Sequence, residues 1–210
     1  MLTVRTPTLD PIRIDELRPT QITVGLREVR TRQKEWRSKT EAARAAFFAR
    51  HMIPVILGPK ARHYIIDHHH LARALHEEGV RKVLVSVVKD LSRLDKEAFW
   101  VFLDNRGLTH PYDAAGRRSD FSAIPRSVVD LADDPYRSLA GALRRAGGFA
   151  KDTSPFSEFL WADFLRRRIG RKVVVDEFSA ALKHALELAR SRDADFLPGW
   201  CGASRSPAFG

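Results

Sequence analysis

Cysteine is nearly absent. Cys201 stands alone in 210 residues, which excludes an internal disulfide framework and any metal site built from several cysteines. That fits a reducing interior. No apolar run approaches the roughly 18 residues that a membrane-crossing helix needs, and the opening MLTVRTPTLDPIRIDEL lacks the apolar core of a secretory signal. The expected location is the cytoplasm, with no membrane partner. No segment repeats at a fixed period, which excludes solenoid and propeller architectures. Acidic residues are the minority, 26 Asp and Glu against 36 Lys and Arg, for a formal net charge of +10. A positive field concentrates anions, so a phosphate-bearing partner is favoured over a cationic one, although charge alone does not separate nucleic acid from nucleotide or from a solvated basic surface.

What is present suits a soluble globular chain, 44% hydrophobic and 30% charged, long enough for one domain with an appendage. IRIDEL alternates as a short strand, and RPTQ turns the chain. Leu26, Val29, Trp36, Ala43 and Phe47 recur at helical spacing, with Ser38 and Glu41 as a capping-box signal for a restart. IPVILG and HYIID are strands joined as a hairpin through Gly58 and Pro59. HLARALHEEG is a helix closed by Gly79, VRKVLVSVVKDL the clearest strand, and DKEAFWVFLDNRG a helix capped by Asp95 and stopped by Gly107. The stretch THPYDAAGRRSDFSAIP has the punctuation of a loop or domain boundary. Beyond it three helices are expected: 136–146, 155–169 with Ser154 as cap, and 176 to about 190. The closing FLPGWCGASRSPAFG carries no periodicity.

The chemically unusual stretch is YIIDHHHLARAL, residues 64–75. Asp67, at the hand-over from strand to helix, is placed to accept from the N–H groups of His69 or His70. Those groups, with the helix dipole, also suit an anion. On a helix, Asp67 shares a face with His70 and His69 with Arg73, whereas His68, His69 and His70 fan apart and do not converge on a tetrahedral metal. A phosphate site, a structural metal and a plain capped helix with solvated histidines are the three readings. In the first, a histidine at a helix start exchanges a proton near neutral pH or donates to an arriving phosphate.

With LRPTQITVG before it, this stretch resembles the ParB/sulfiredoxin superfamily, and most closely its ParB-like putative nuclease branch. The likeness covers about residues 10–110, and DPYRSLAGALRRAGGF and PFSEFLWADFLR resemble the helical extension of that branch. The resemblance implies an α+β fold, a mixed-sheet domain over 1–115 followed by a helical extension over 116–195 and an irregular tail over 196–210. Asp67 falls on the superfamily's acidic position, His69 and His70 on its variable polar and basic positions, and Arg73 on the later arginine. His68 replaces the usual glycine and Leu71 the usual arginine, which removes a bidentate phosphate donor and argues against ParB-type CTP binding. Sulfiredoxin chemistry needs a cysteine in the turn, where none stands.

The implied activity is cleavage or transfer at a phosphate ester of a nucleotide or nucleic acid, with Asp67, His69 and His70 in proton transfer and positioning. A nucleotide-dependent small-molecule kinase of the free-serine-kinase type and a non-catalytic nucleotide or DNA binder are the alternatives. The kinases carry a glutamate near the RPTQ turn; Gln21 here cannot accept a proton, but it and Thr20 can orient substrate. Arg27 and Lys34 on the next helix, His68 and Arg73 in the turn, and Arg137 and Lys151 from an extension folded over it as a lid are candidate phosphate partners. A nucleotide and a divalent metal such as Mg are the cofactors such chemistry admits. The link GGFAKDTSP is longer than a helix-turn-helix allows, so a dedicated DNA-reading motif is not expected there.

Overall fold

The computed structural model describes residues 11–202. The chain divides after Asp133 into two compact units, Met1–Asp133 and Asp134–Gly210. The architecture is α+β, with small mixed sheets in the first unit and helices in the second.

The first unit is organised by β3 (Ile53–Gly58), whose β-branched residues suit a strand buried on both sides. Val55 faces one apolar cluster, with Leu17, Val24, Val29, Leu71 and Leu75. Ile56 faces another, with Tyr64, Phe99, Trp100 and Leu103. β4 (Arg62–Ile65) runs antiparallel to β3, as the hairpin pattern requires, and β6 (Val85–Asp90) runs parallel on its other side. The single long strand expected around residues 80–91 is split: β5 (Lys82–Val83) pairs instead with β1 (Ile12–Arg13). IRIDEL likewise keeps only two strand residues before a 3-10 turn at Ile14–Glu16.

The basic helical region is two helices, α1 (Leu26–Arg37) and α2 (Glu41–Arg50). The restart is capped by Thr40, whose hydroxyl accepts from the Ala43 N–H at 3.3 Å, rather than by Ser38. α3 (His69–Glu77) and α4 (Lys96–Asn105) stop as their punctuation indicates, with Gly79 and Gly107 at positive φ, and α4 starts as expected with Asp95 accepting from the Ala98 N–H. The polar stretch after residue 108 stays in the first unit. Asp113 accepts from the N–H groups of Ala115 and Arg117, Ile124, Val128 and Leu131 are buried, and β7 (Ala132–Asp133) pairs in parallel with β2 (Thr23–Val24).

The second unit packs α5 (Pro135–Arg145), α6 (Ser157–Arg166), α7 (Arg171–Asp176) and α8 (Phe178–Ala189) around Trp161, Leu139, Leu143 and Leu165. α6 begins later than Ser154 because Phe156 is left-handed at φ 56°; α8 is the expected last helix, begun at Phe178 after a bend at Glu177, and the short α7 ahead of it was not expected. Asp134, 1% exposed, caps α5 through the Tyr136 N–H at 2.9 Å and pairs with Arg166 at 2.7 Å. Burial still raises its pKa, the desolvation outweighing the nearby guanidinium. The described part of the aperiodic tail is held at several points, with Phe196 exposed: Leu197 is buried, the Trp161 indole donates to the Pro198 carbonyl at 2.9 Å, and the Ala150 N–H donates to the Gly199 carbonyl at 2.7 Å, while residues 203–210 lie outside the described residues.

Candidate phosphate-handling site

β4 ends at Ile65, and the chain bends through Ile66 and Asp67 into α3. The bend is made by His68, whose φ of 65° and ψ of 24° are left-handed. Glycine adopts that conformation at least cost, which gives a backbone reason for the glycine that the resemblance implies at this position. The turn corrects the expected cap. Asp67 is exposed, and its carboxylate accepts from the next N–H, that of His68 at 2.6 Å, instead of reaching His69 or His70. No side chain caps α3. Asp67 lies outside the helix, so the shared face expected for Asp67 and His70 does not form.

The histidines are nonetheless tied to one segment, residues 20–25. His69 is 3% exposed, and its Nε2 accepts from the Thr20 N–H at 3.1 Å. Burial pushes its pKa down to about 3. Nε2 of His70 accepts from the Gly25 N–H at 3.0 Å. A backbone N–H can only donate to an unprotonated ring nitrogen, so each neutral imidazole carries its proton on Nδ1. His68 is half-buried, and its pKa is also lowered, chiefly by burial.

Thr20 is the hub of this segment. Its hydroxyl donates to the Ile65 carbonyl at 2.7 Å, and its own carbonyl accepts from the Thr109 hydroxyl at 2.6 Å and the His110 N–H at 2.9 Å. Gln21, 4% exposed, turns its amide inward to the Thr23 carbonyl at 2.6 Å. Gly25, Thr109 and His110 were not among the sequence candidates. The signal for the last two was THPY, a polar run ahead of a proline in the stretch expected to be a linker.

The remaining candidates are dispersed. Arg73 is held by Glu77 at 2.8 Å and by the Leu131 carbonyl, so it clamps the loop before β7. Arg27 and Lys34 are exposed, seven residues apart on α1, whose first N–H is capped by Asp133 at 2.9 Å. Arg137 and Lys151 belong to the second unit. Arg137 is buried, 3.8 Å from Glu158 with its guanidinium over the Phe159 ring, whereas Lys151 is exposed. Among the described residues, no group of three or more His, Cys, Asp or Glu is placed to hold a metal ion, and no helix is long and apolar enough to cross a membrane.

Comparison with known proteins agrees with this architecture. The chain is 54% identical to a protein of Agrobacterium tumefaciens, Atu1540, whose crystal structure superposes with a TM-score of 0.87 over 94% of this chain and all of that one. No curated protein matches. The family described as "Putative ParB-like nuclease" matches residues 11–167, which takes in the histidine turn and continues into α6. The chain belongs to that ParB-like family.

Proposed function

We propose that the protein is a nuclease-like phosphodiester hydrolase acting on a nucleotide or nucleic acid, and that the turn at residues 67–70 handles the phosphate. The observation that carries this reading is the fixed tautomer of His69 and His70, whose Nε2 atoms are both engaged by backbone N–H groups. The two rings are therefore held in fixed orientations against residues 20–25 at the start of α3. The start of this nine-residue helix, which no side chain caps, suits an anion, because the helix dipole and the first-turn N–H groups act in the same direction.

Roles follow from burial. His69 is a positioning residue, too buried and too weakly basic to relay protons near neutral pH. His70, half-buried, is the histidine that meets the phosphate, and Asp67, exposed and next to the turn, is the group able to accept a proton from an attacking water. Arg27 and Lys34 add positive potential along α1. The +10 net charge and the family's nuclease description support a phosphate diester over a neutral substrate.

The test is cleavage of single- and double-stranded oligonucleotides, with and without Mg²⁺, by the wild-type chain and by Asp67→Asn and His70→Ala. Cleavage lost in Asp67→Asn with binding retained supports the hydrolase. Binding without turnover in the wild type favours the binder. Phosphoryl transfer from a nucleoside triphosphate to an acceptor favours the kinase, and no affinity for any of these ligands removes the reading.

A further inference from the structure

A cavity of about 240 Å³ lies in the first unit, lined by Ile56, Val88, Lys89, Phe102, Arg106 and Leu108. Its walls are the β3–β6 pair and α4, and it is not formed by any residue of the histidine turn. Four of the six side chains are apolar and two are cations, a composition that neither core packing nor a solvated surface requires.

The sequence of β6 shows how a cation comes to face that cavity. Val55 pairs with Val87, but Ile56 pairs with Lys89, so Val88 is an extra residue and the strand bulges there. In a regular ladder Val88 would stand opposite Ile56, and Lys89 would point to the other face with Leu57. The bulge brings Lys89 to the side of Ile56, and both Val88 and Lys89 line the cavity. Bulges re-aim side chains in this way. The Lys89 ammonium lies 6.0 Å from the centre of the Phe102 ring. Among the described residues, ion pairs of this unit engage Arg13, Arg32, Arg37, Arg73, Arg117 and Arg118, and neither Lys89 nor Arg106.

We propose that this bulged-strand cavity binds a small amphipathic anion, a molecule with an apolar body seated against Ile56, Phe102 and Leu108 and one carboxylate or phosphate head met by Lys89 and Arg106. Burying the apolar body supplies the area-dependent part of affinity, and the two cations select the charged head. The site is separate from the proposed phosphate turn and stands whether or not the chain cleaves nucleic acid. Leu108 directly precedes Thr109, whose hydroxyl holds Thr20, so an occupant also contacts the segment that supports the turn.

The experiment is amide NMR titration of the full chain with octanoate, octyl phosphate, octanol and inorganic phosphate, repeated with Lys89→Met and Arg106→Gln, both at residues with at least partial exposure. The expected result is shifts centred on Ile56, Val88 and Leu108, with octanoate or octyl phosphate binding about tenfold more tightly than octanol. The more effective of the two identifies the head group. Each variant is expected to lose most of that preference while its octanol affinity stays unchanged. Equal affinity for octanol and both anions, shifts centred elsewhere, inorganic phosphate binding as well as its octyl ester, or unchanged preference in both variants overturns the proposal.

Discussion

The Nε2 atom of His69 accepts a hydrogen bond from the backbone N–H of Thr20, 49 residues earlier in the chain, at 3.1 Å and out of contact with water. This bond joins the start of α3 to the segment entering α1. Its strength depends on an unprotonated ring.

A dependence of stability on pH results. The pKa of His69 is about 3 in the folded chain, below its ordinary value of 6.5. Below that ordinary value the unfolded chain binds a proton that the folded chain refuses, so the contribution of His69 is complete above about pH 6.5. It declines by about 1.4 kcal/mol per pH unit as the pH falls towards 3, and levels off below. Denaturant unfolding from pH 8 to 4 is expected to show the wild-type advantage over His69→Gln constant above pH 7 and shrinking below 6.5. A constant difference throughout contradicts the burial of a neutral imidazole.

His68 tests the turn itself. A side chain at φ 65° carries a backbone cost that glycine escapes, and a β-branched residue carries it in full. His68→Gly is expected to stay within about 1 kcal/mol of the wild type, the relieved backbone offsetting the lost ring contacts. His68→Val is expected to lose about 2 kcal/mol. Thermal unfolding of the pair checks the order; Val as stable as Gly contradicts a left-handed residue 68.

Gly58 is required for a different reason, close approach. A Cβ there would lie 2.5 Å from Cε2 of Tyr64 and 2.8 Å from Cε2 of Phe99. Those rings pack 4.5 Å apart in the cluster around Ile56. Gly58→Ala is expected to destabilise by about 1–3 kcal/mol through overpacking. A melting temperature equal to the wild type's shows that the rings yield.

Features specified by neighbours in sequence were legible from sequence. Asp95 and Gly107 bound α4, Gly79 ends α3, and the hairpin at Gly58 and Pro59 forms, because caps and turns are decided within a few residues. The resemblance of YIIDHHHLARAL to the ParB superfamily led to the correct family for the same reason. Partnerships across the chain were not legible. Nothing near His69 announces Thr20, and the THPY segment looks like a linker until Thr109 is seen to hold the Thr20 carbonyl, 89 residues away. His68 concealed the left-handed turn, since a histidine gives no local sign of positive φ. The bulge in β6 was hidden too, because a run of valines alternates equally well with or without an extra residue.

The most direct measurement of the central claim is nitrogen-15 NMR of the imidazole rings of His69 and His70 near neutral pH, before and after addition of thymidine 3′,5′-bisphosphate. Nδ1 is expected to be protonated and Nε2 unprotonated in both rings, with the ring resonances of His70 moving on addition of the ligand while those of His69 stay fixed. A His70 ring protonated on Nε2 in the free chain, or a His70 signal unmoved by saturating ligand, contradicts that claim.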